Sequence, residues 1–273
     1  MASSLDSPDS PDSPDSPDSP DTGLWLRLYR PAAEAAARLI CFPYAGGSAS
    51  YYHSVAQALG PRTEVLAVQY PGRQDRRREK PVGSLAGLAA GVRQELGPWL
   101  DKPYALFGHS MGALLAFEVA RLLESEGQGG PRRLFVSGRR APSCRRTENI
   151  HLRSDQGIVA HLRRLGSAHS NLLEDEEIRA MFLPALRADY QAVETYTAGD
   201  AQVGCPLTVF TGESDPQTTR TEAEAWRRHT RGGAEVLFYP GGHFFVDEHA
   251  PEVLEVIEQR TARDLGHRHD VSA

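Results

Sequence analysis

The chain has 273 residues, with 30 Lys and Arg against 36 Asp and Glu, and 40% of its residues are hydrophobic. Six of the 36 acids (Asp6, Asp9, Asp12, Asp15, Asp18 and Asp21) fall in the first 21 residues, which hold no base, so the remainder is balanced at 30 of each. A balanced body excludes bulk electrostatic attraction to nucleic acid or anionic membrane as the main activity, and no apolar run approaches the roughly 20 residues that span a bilayer. The N-terminus also lacks the basic start and apolar stretch of a secretion signal. Cys41, Cys144 and Cys205 stand far apart and form no CxxC pair, which fits a reducing, cytoplasmic setting.

Residues 7–21 are five copies of Ser-Pro-Asp. Proline removes backbone donors, the aspartates repel one another and nothing can be buried, so 1–22 is expected to be a disordered tail. A single domain is expected over 23–264, followed by a polar tail over 265–273. Leu24, Leu26 and Leu28 alternate with Trp25, Arg27 and Tyr29, the period of a strand. Short apolar runs at 38–43, 64–70, 104–107, 133–136, 207–210 and 235–239 have the character of strands buried on both faces. Helical patterns lie at 85–100, 112–123, 219–228 and 251–263, and the one at 112–123 is apolar nearly all round, as in a buried helix. Strand and helix in alternation predict a mostly parallel sheet with helices on both faces, an α/β fold. From about 145 to 199 the rhythm breaks. Helical patches at 158–165, 176–186 and 188–196 predict a helical lid over the carboxyl edge of the sheet, where such folds place ligand sites.

The motif with chemical content is Gly108-His109-Ser110-Met111-Gly112, which follows the strand at 104–107 and opens the buried helix. G-x-S-x-G in that setting is a nucleophile elbow: a tight strand-to-helix turn that exposes the serine hydroxyl above the sheet, with the positive helix end beneath a developing oxyanion. A serine hydroxyl needs a base, and in this fold the order is Ser, acid, His. Of the ten histidines, His243 sits in Pro240-Gly241-Gly242-His243-Phe244-Phe245, after the last strand and before the last helix; His249 is a weaker rival, and His109 should point away from Ser110. Asp215, in Thr211-Gly212-Glu213-Ser214-Asp215-Pro216 after the strand at 207–210, is the expected acid, which would hold the imidazole tautomer, with Glu213 the alternative. The backbone N–H groups of Met111 and Ala45, the latter in Phe42-Pro43-Tyr44-Ala45-Gly46-Gly47-Ser48, are the expected oxyanion hole.

F-P-Y-A-G-G-S, Y-P-G-R (Tyr70–Arg73), G-H-S-M-G-A, S-G-R-R-A-P (Ser137–Pro142), the A-D-Y…T-Y stretch (Ala188–Tyr196), G-E-S-D-P and G-G-H-F-F occur in that order. From about Leu24 to Arg263 the sequence resembles the type II thioesterases, stand-alone editing enzymes of polyketide and nonribosomal peptide synthases with an α/β-hydrolase fold. The resemblance implies hydrolysis of acyl groups, short or aberrant ones, from the phosphopantetheine arm of acyl or peptidyl carrier proteins through an acyl-serine intermediate. It needs no metal or redox cofactor; the substrate itself carries the phosphopantetheine. The enzyme is expected to be a monomer that meets its carriers transiently. Arg73, Arg139 and Arg140 follow strand ends and are candidates for docking an acidic carrier or the pantetheine phosphate. The Met1 start and the separate tail favour a free-standing protein over a product-releasing or macrocyclising domain. An acyl-CoA thioesterase or carboxylesterase, and a silent binding protein of the same fold, are the remaining alternatives.

Overall fold

The computed structural model describes residues 23–167 and 171–266; the Ser-Pro-Asp tail and the segment from 267 onward lie outside the described residues. The apolar runs become strands β1 (Leu26–Leu28), β2 (Ala37–Phe42), β3 (Thr63–Val68), β4 (Tyr104–His109), β5 (Arg133–Ser137), β6 (Leu207–Gly212) and β7 (Ala234–Tyr239). They form one seven-stranded sheet in the order β1-β3-β2-β4-β5-β6-β7. β1 runs antiparallel to β3, and the other neighbours are parallel. Every residue of β2 through β6 is buried, as expected where helices cover both faces.

Between the strands lie α1 (His53–Leu59), α2 (Leu85–Leu96), α3 (Met111–Ser125), α4 (Asp155–Arg164), α5 (Glu176–Glu194), α6 (Arg220–Glu224), α7 (Phe245–Glu248) and α8 (Ala250–Gly266). Alternate residues of β2 and β3 point to opposite faces. Ile40, Phe42, Leu66 and Val68 pack with α2 and α3, whereas Leu39, Cys41, Val65 and Ala67 pack with α1 and α8. α3 buries ten of its 15 residues, among them Leu114, Leu115, Phe117 and Val119. Each such side chain contributes about 1.5–3 kcal/mol on leaving water, so the helix is held firmly beneath the turn that precedes it.

The interval after β5 is helical throughout its regular structure, and α4 and α5 carry most of it. The two patches expected at 176–186 and 188–196 are one helix, α5, which runs through Pro184. Proline removes one backbone donor there, but the turns around it are tied down: Asp175 caps the start by accepting from Glu177 N (2.9 Å) and Ile178 N (3.0 Å), and Leu183 and Leu186 pack into a separate apolar cluster with Ile150, Ile158 and Leu162. Ala45 of the loop after β2 packs against that cluster, so the lid rests directly on this loop. α8 extends to Gly266, two residues past the expected end of the domain. Among the described residues no helix is long and apolar enough to cross a membrane.

Candidate active site

Ser110 occupies the turn between β4 and α3 with φ 56° and ψ −114°. That is a sparsely populated conformation for a residue with a side chain and costs about 1–3 kcal/mol. Neighbouring close approaches hold it. A Cβ on Gly108 would lie 2.0 Å from the Gly112 carbonyl oxygen, and one on Gly112 would lie 1.9 Å from the Phe42 carbonyl oxygen. Only glycine lets β4, α3 and β2 meet there. Ser110 N donates to the Ser137 carbonyl at 2.8 Å, which ties the turn to β5.

His243 lies in the loop between β7 and α7, with Nε2 3.1 Å from Ser110 Oγ. Its Nδ1 is 3.0 Å from Asp215 Oδ2 and 3.1 Å from Oδ1. Asp215 follows β6, and its Oδ1 also accepts from Gln217 N at 2.8 Å. Both side chains are buried. The carboxylate accepts a hydrogen bond from Nδ1–H, which keeps the proton on Nδ1 and leaves Nε2 as an acceptor facing the serine hydroxyl. Glu213, the alternative acid, is exposed. His249 pairs with Glu252 at the start of α8.

Ala45 and Met111 sit as the sequence reading places them, one in the loop after β2 and the other at the first position of α3. Gly46 N donates to Asp189 Oδ2 (2.8 Å) and Gly47 N to the Tyr44 carbonyl (2.8 Å). Neither the Ala45 nor the Met111 amide donates to an acceptor among the described residues, and the first N–H of a helix has no partner within it.

His109 was expected to turn away from Ser110, and it does. It is fully buried, with Nδ1 2.9 Å from Ser137 Oγ. Yet its ring lies 5.0 Å from the His243 ring, centroid to centroid, and so forms part of the floor under the imidazole. Nothing in the motif spacing announces this contact. Burial, and then the neighbouring His243, hold His109 well below the usual histidine range. His161 of α4 is pushed down to about 4, by burial first and then by Arg164 and Arg153. Both are neutral in the folded protein, whereas unfolded histidine takes up its proton below about 6.5. The unfolded state therefore binds more protons in that window, and stability held at neutral pH is lost as pH falls from about 6.5 toward 4. The thermal midpoint is expected to drop by several degrees between pH 7.5 and 5, with part of that slope removed in His161→Phe. A flat midpoint over this range contradicts the assignment.

Residues 37–261 match the thioesterase domain family. The chain belongs to the thioesterase family. A relative from Streptomyces griseus called "Probable cadicidin biosynthesis thioesterase" is 52% identical over 236 residues, covering 86% of this chain and 65% of that protein's own length. "Thioesterase PikA5" of Streptomyces venezuelae is 44% identical over 238 residues, covering 86% of this chain and 85% of the relative. Among solved structures, the type II thioesterase BorB from the borrelidin biosynthetic cluster superposes with a TM-score of 0.82 at 48% identity, covering 88% of this chain and 98% of BorB.

The arginines singled out in this thioesterase for docking require correction. Arg73, Arg139 and Arg140 are all buried. Arg73 forms a two-pronged ion pair with Asp189 of α5. Arg140 pairs with Glu148 and donates to the Gln217 carbonyl. Arg139 is 8% exposed and lines a cavity between the loop after β5 and the end of α5. None presents its guanidinium to a protein surface. A long cationic side chain just past a strand end reads as exposed in sequence, but here each strand end lies beneath the lid.

Proposed function

We propose that this thioesterase is a stand-alone type II enzyme that removes short or aberrant acyl groups from the phosphopantetheine thiol of acyl or peptidyl carrier proteins. The observation that carries the chemistry is the 3.1 Å approach of His243 Nε2 to Ser110 Oγ, backed by the Asp215 carboxylate at 3.0 Å. The stand-alone, carrier-directed part draws its support from likeness to a type II thioesterase over 98% of that protein's length.

In the proposed reaction His243 takes the Ser110 proton as Oγ adds to the thioester carbonyl. The oxyanion sits between the Ala45 and Met111 amides, each donor lowering the barrier by about 2.7–4 kcal/mol. Collapse breaks the carbon–sulfur bond, and the pantetheine thiol leaves with the proton from His243. Water then adds to the acyl-Ser110 ester with His243 again as base. The acid is released and Ser110 regains its proton. Asp215 stays ionised and steadies the imidazolium in both halves. The route uses no metal or redox cofactor, and it belongs in the cytoplasm beside a synthase.

Turnover of acetyl, propionyl and longer acyl groups should be compared on a carrier, on coenzyme A and in oxygen esters. The expected order places the carrier thioester first by at least about tenfold, a difference of about 1.4 kcal/mol in transition-state binding. Equal rates on carrier and coenzyme A contradict the carrier-directed reading, and faster turnover of oxygen esters contradicts the thioesterase preference.

A further inference from the structure

A buried cation at the base of the lid has no counter-ion in contact with it. Arg139, two residues past the end of β5, is 8% exposed. Its backbone carbonyl accepts from Trp226 Nε1 at 2.7 Å, which fixes the main chain there. Its guanidinium makes no hydrogen bond or ion pair among the described residues, and Nε is enclosed. Nη1 and Nη2 are equally without a partner but are not enclosed, so this end of the group opens on the cavity that Arg139 lines. Burial, and then the neighbouring Arg140, push Arg139 down to about 9, so it is still a cation at neutral pH.

The cavity, about 220 Å³, lies between the loop after β5 and the last turn of α5. Thr147, Asn149 and Thr197 in its wall are exposed, so solutes reach it from solvent. A single water needs about 10–15 Å³ of such space, so there is room for an anion of several heavy atoms. Four of the lining residues are arginines and two are glutamates. Both acids are already engaged. Glu148 lies 2.7 Å from Arg140 Nη2. Glu194 accepts from Ile150 N (2.6 Å) and His151 N (3.1 Å) and pairs with the His151 ring. Arg146 is matched in turn by Glu222. That leaves Arg139 and the exposed Arg145, neither with a counter-ion among the described residues. A buried charge without a partner is costly to keep, and the paired N–H groups of a guanidinium fit two oxygens of one carboxylate or phosphate.

We propose that this cavity binds a small oxyanion, a phosphate or carboxylate group held by Arg139 with Arg145 as the second cation, at a site separate from Ser110. Arg139 belongs to the loop after β5 and the facing wall to the end of α5, so the anion neutralises the buried charge and bridges sheet and lid. The site goes beyond the acyl-carrier reading and does not depend on it.

The test uses the full chain at constant ionic strength set with sodium chloride. Inorganic phosphate, malonate and phosphopantetheine are titrated by calorimetry, and the thermal midpoint is read alongside. Phosphate or malonate is expected to bind one to one at millimolar concentration or below and to raise the midpoint by a few degrees. In Arg139→Met the affinity should fall by at least about tenfold, the loss of a charge-assisted pair of hydrogen bonds; Arg139→Lys should retain part of it, and Arg145→Gln should weaken binding by a few-fold. Phosphate binding ahead of malonate identifies a phosphate site, and the reverse order a carboxylate site. Phosphopantetheine binding ahead of inorganic phosphate marks a pantetheine arm as the source of the group. No binding of any of the three beyond the chloride background, or unchanged affinity in Arg139→Met, overturns the proposal. In chloride alone Arg139→Met should melt at or above the wild-type temperature, because it removes an unpaired buried cation. A marked drop assigns Arg139 to the fold and overturns its role, while the wild-type and Arg145→Gln titrations read the site independently. A wild type that binds the anion yet releases no acyl group from a carrier would sink the acyl-carrier reading alone.

Discussion

Replacing Ser110 by alanine is expected to lower acyl release by about 10⁴–10⁶-fold with little change in stability. The size of the loss follows from what remains. The Ala45 and Met111 amides and the lid would still bind the thioester, and such groups alone retain about 10³–10⁴-fold over water. What vanishes is the covalent route, because no other hydroxyl lies within reach of His243 Nε2 among the described residues. The backbone should tolerate the change, since alanine keeps the Cβ that the φ of 56° already accommodates. Asp215→Asn should be nearly as severe, about 10⁴-fold, because an amide facing Nδ1 stabilises the wrong tautomer and turns the Nε2 lone pair into a donor. Single-turnover assays with an acyl carrier separate acylation from product release. Activity retained in Ser110→Ala removes the serine from the mechanism.

The elbow, the acid and the base could be read from sequence because each depends on local chain geometry. A turn that brings three backbones together admits only glycine at Gly108 and Gly112, and loops after β6 and β7 have few polar residues able to reach the same point. The sheet was legible for the same reason, as strands buried on both faces must be short and apolar. The lid was less so. Its helices are amphipathic, which hides whether Pro184 ends one helix or sits inside another. Arg73 reads as exposed because burial of its charge depends on a partner far away in sequence, Asp189, 116 residues on, whereas Arg140 meets Glu148 only eight residues on, beneath a lid whose packing the sequence does not reveal. The contact of His109 with the His243 ring was not legible for a related reason, since ring contacts across a turn and a distant loop carry no spacing rule.

That distant pair leads to the second large effect. Arg73 Nη1 and Nη2 each lie 2.8 Å from a carboxylate oxygen of Asp189, and the side chains are 7% and 1% exposed. Asp189 Oδ2 also accepts from Gly46 N at 2.8 Å, and Arg73 Nη1 donates to the Gly47 carbonyl at 3.0 Å. The ion pair thus grips both sides of the peptide segment that follows Ala45, while the Tyr70 hydroxyl donates to the Pro43 carbonyl on its other flank at 3.0 Å. Removing one partner strands the other charge in the interior, so Asp189→Ala is expected to destabilise by about 3–5 kcal/mol. Freed from its clamp, the Ala45 amide should also lose its aim, with kcat falling by about 10²–10³-fold, the usual loss for one oxyanion donor. The two effects can be separated. In the double variant Arg73→Met with Asp189→Leu no buried charge is left unpaired, and stability should return toward wild type because apolar pairs replace buried ion pairs at little cost. The kcat defect should persist, since neither new side chain can accept from Gly46 N or donate to Gly47 O. Recovery of both together would mean that the pair merely fastens the lid to the sheet, and that the loop holds its own shape without it.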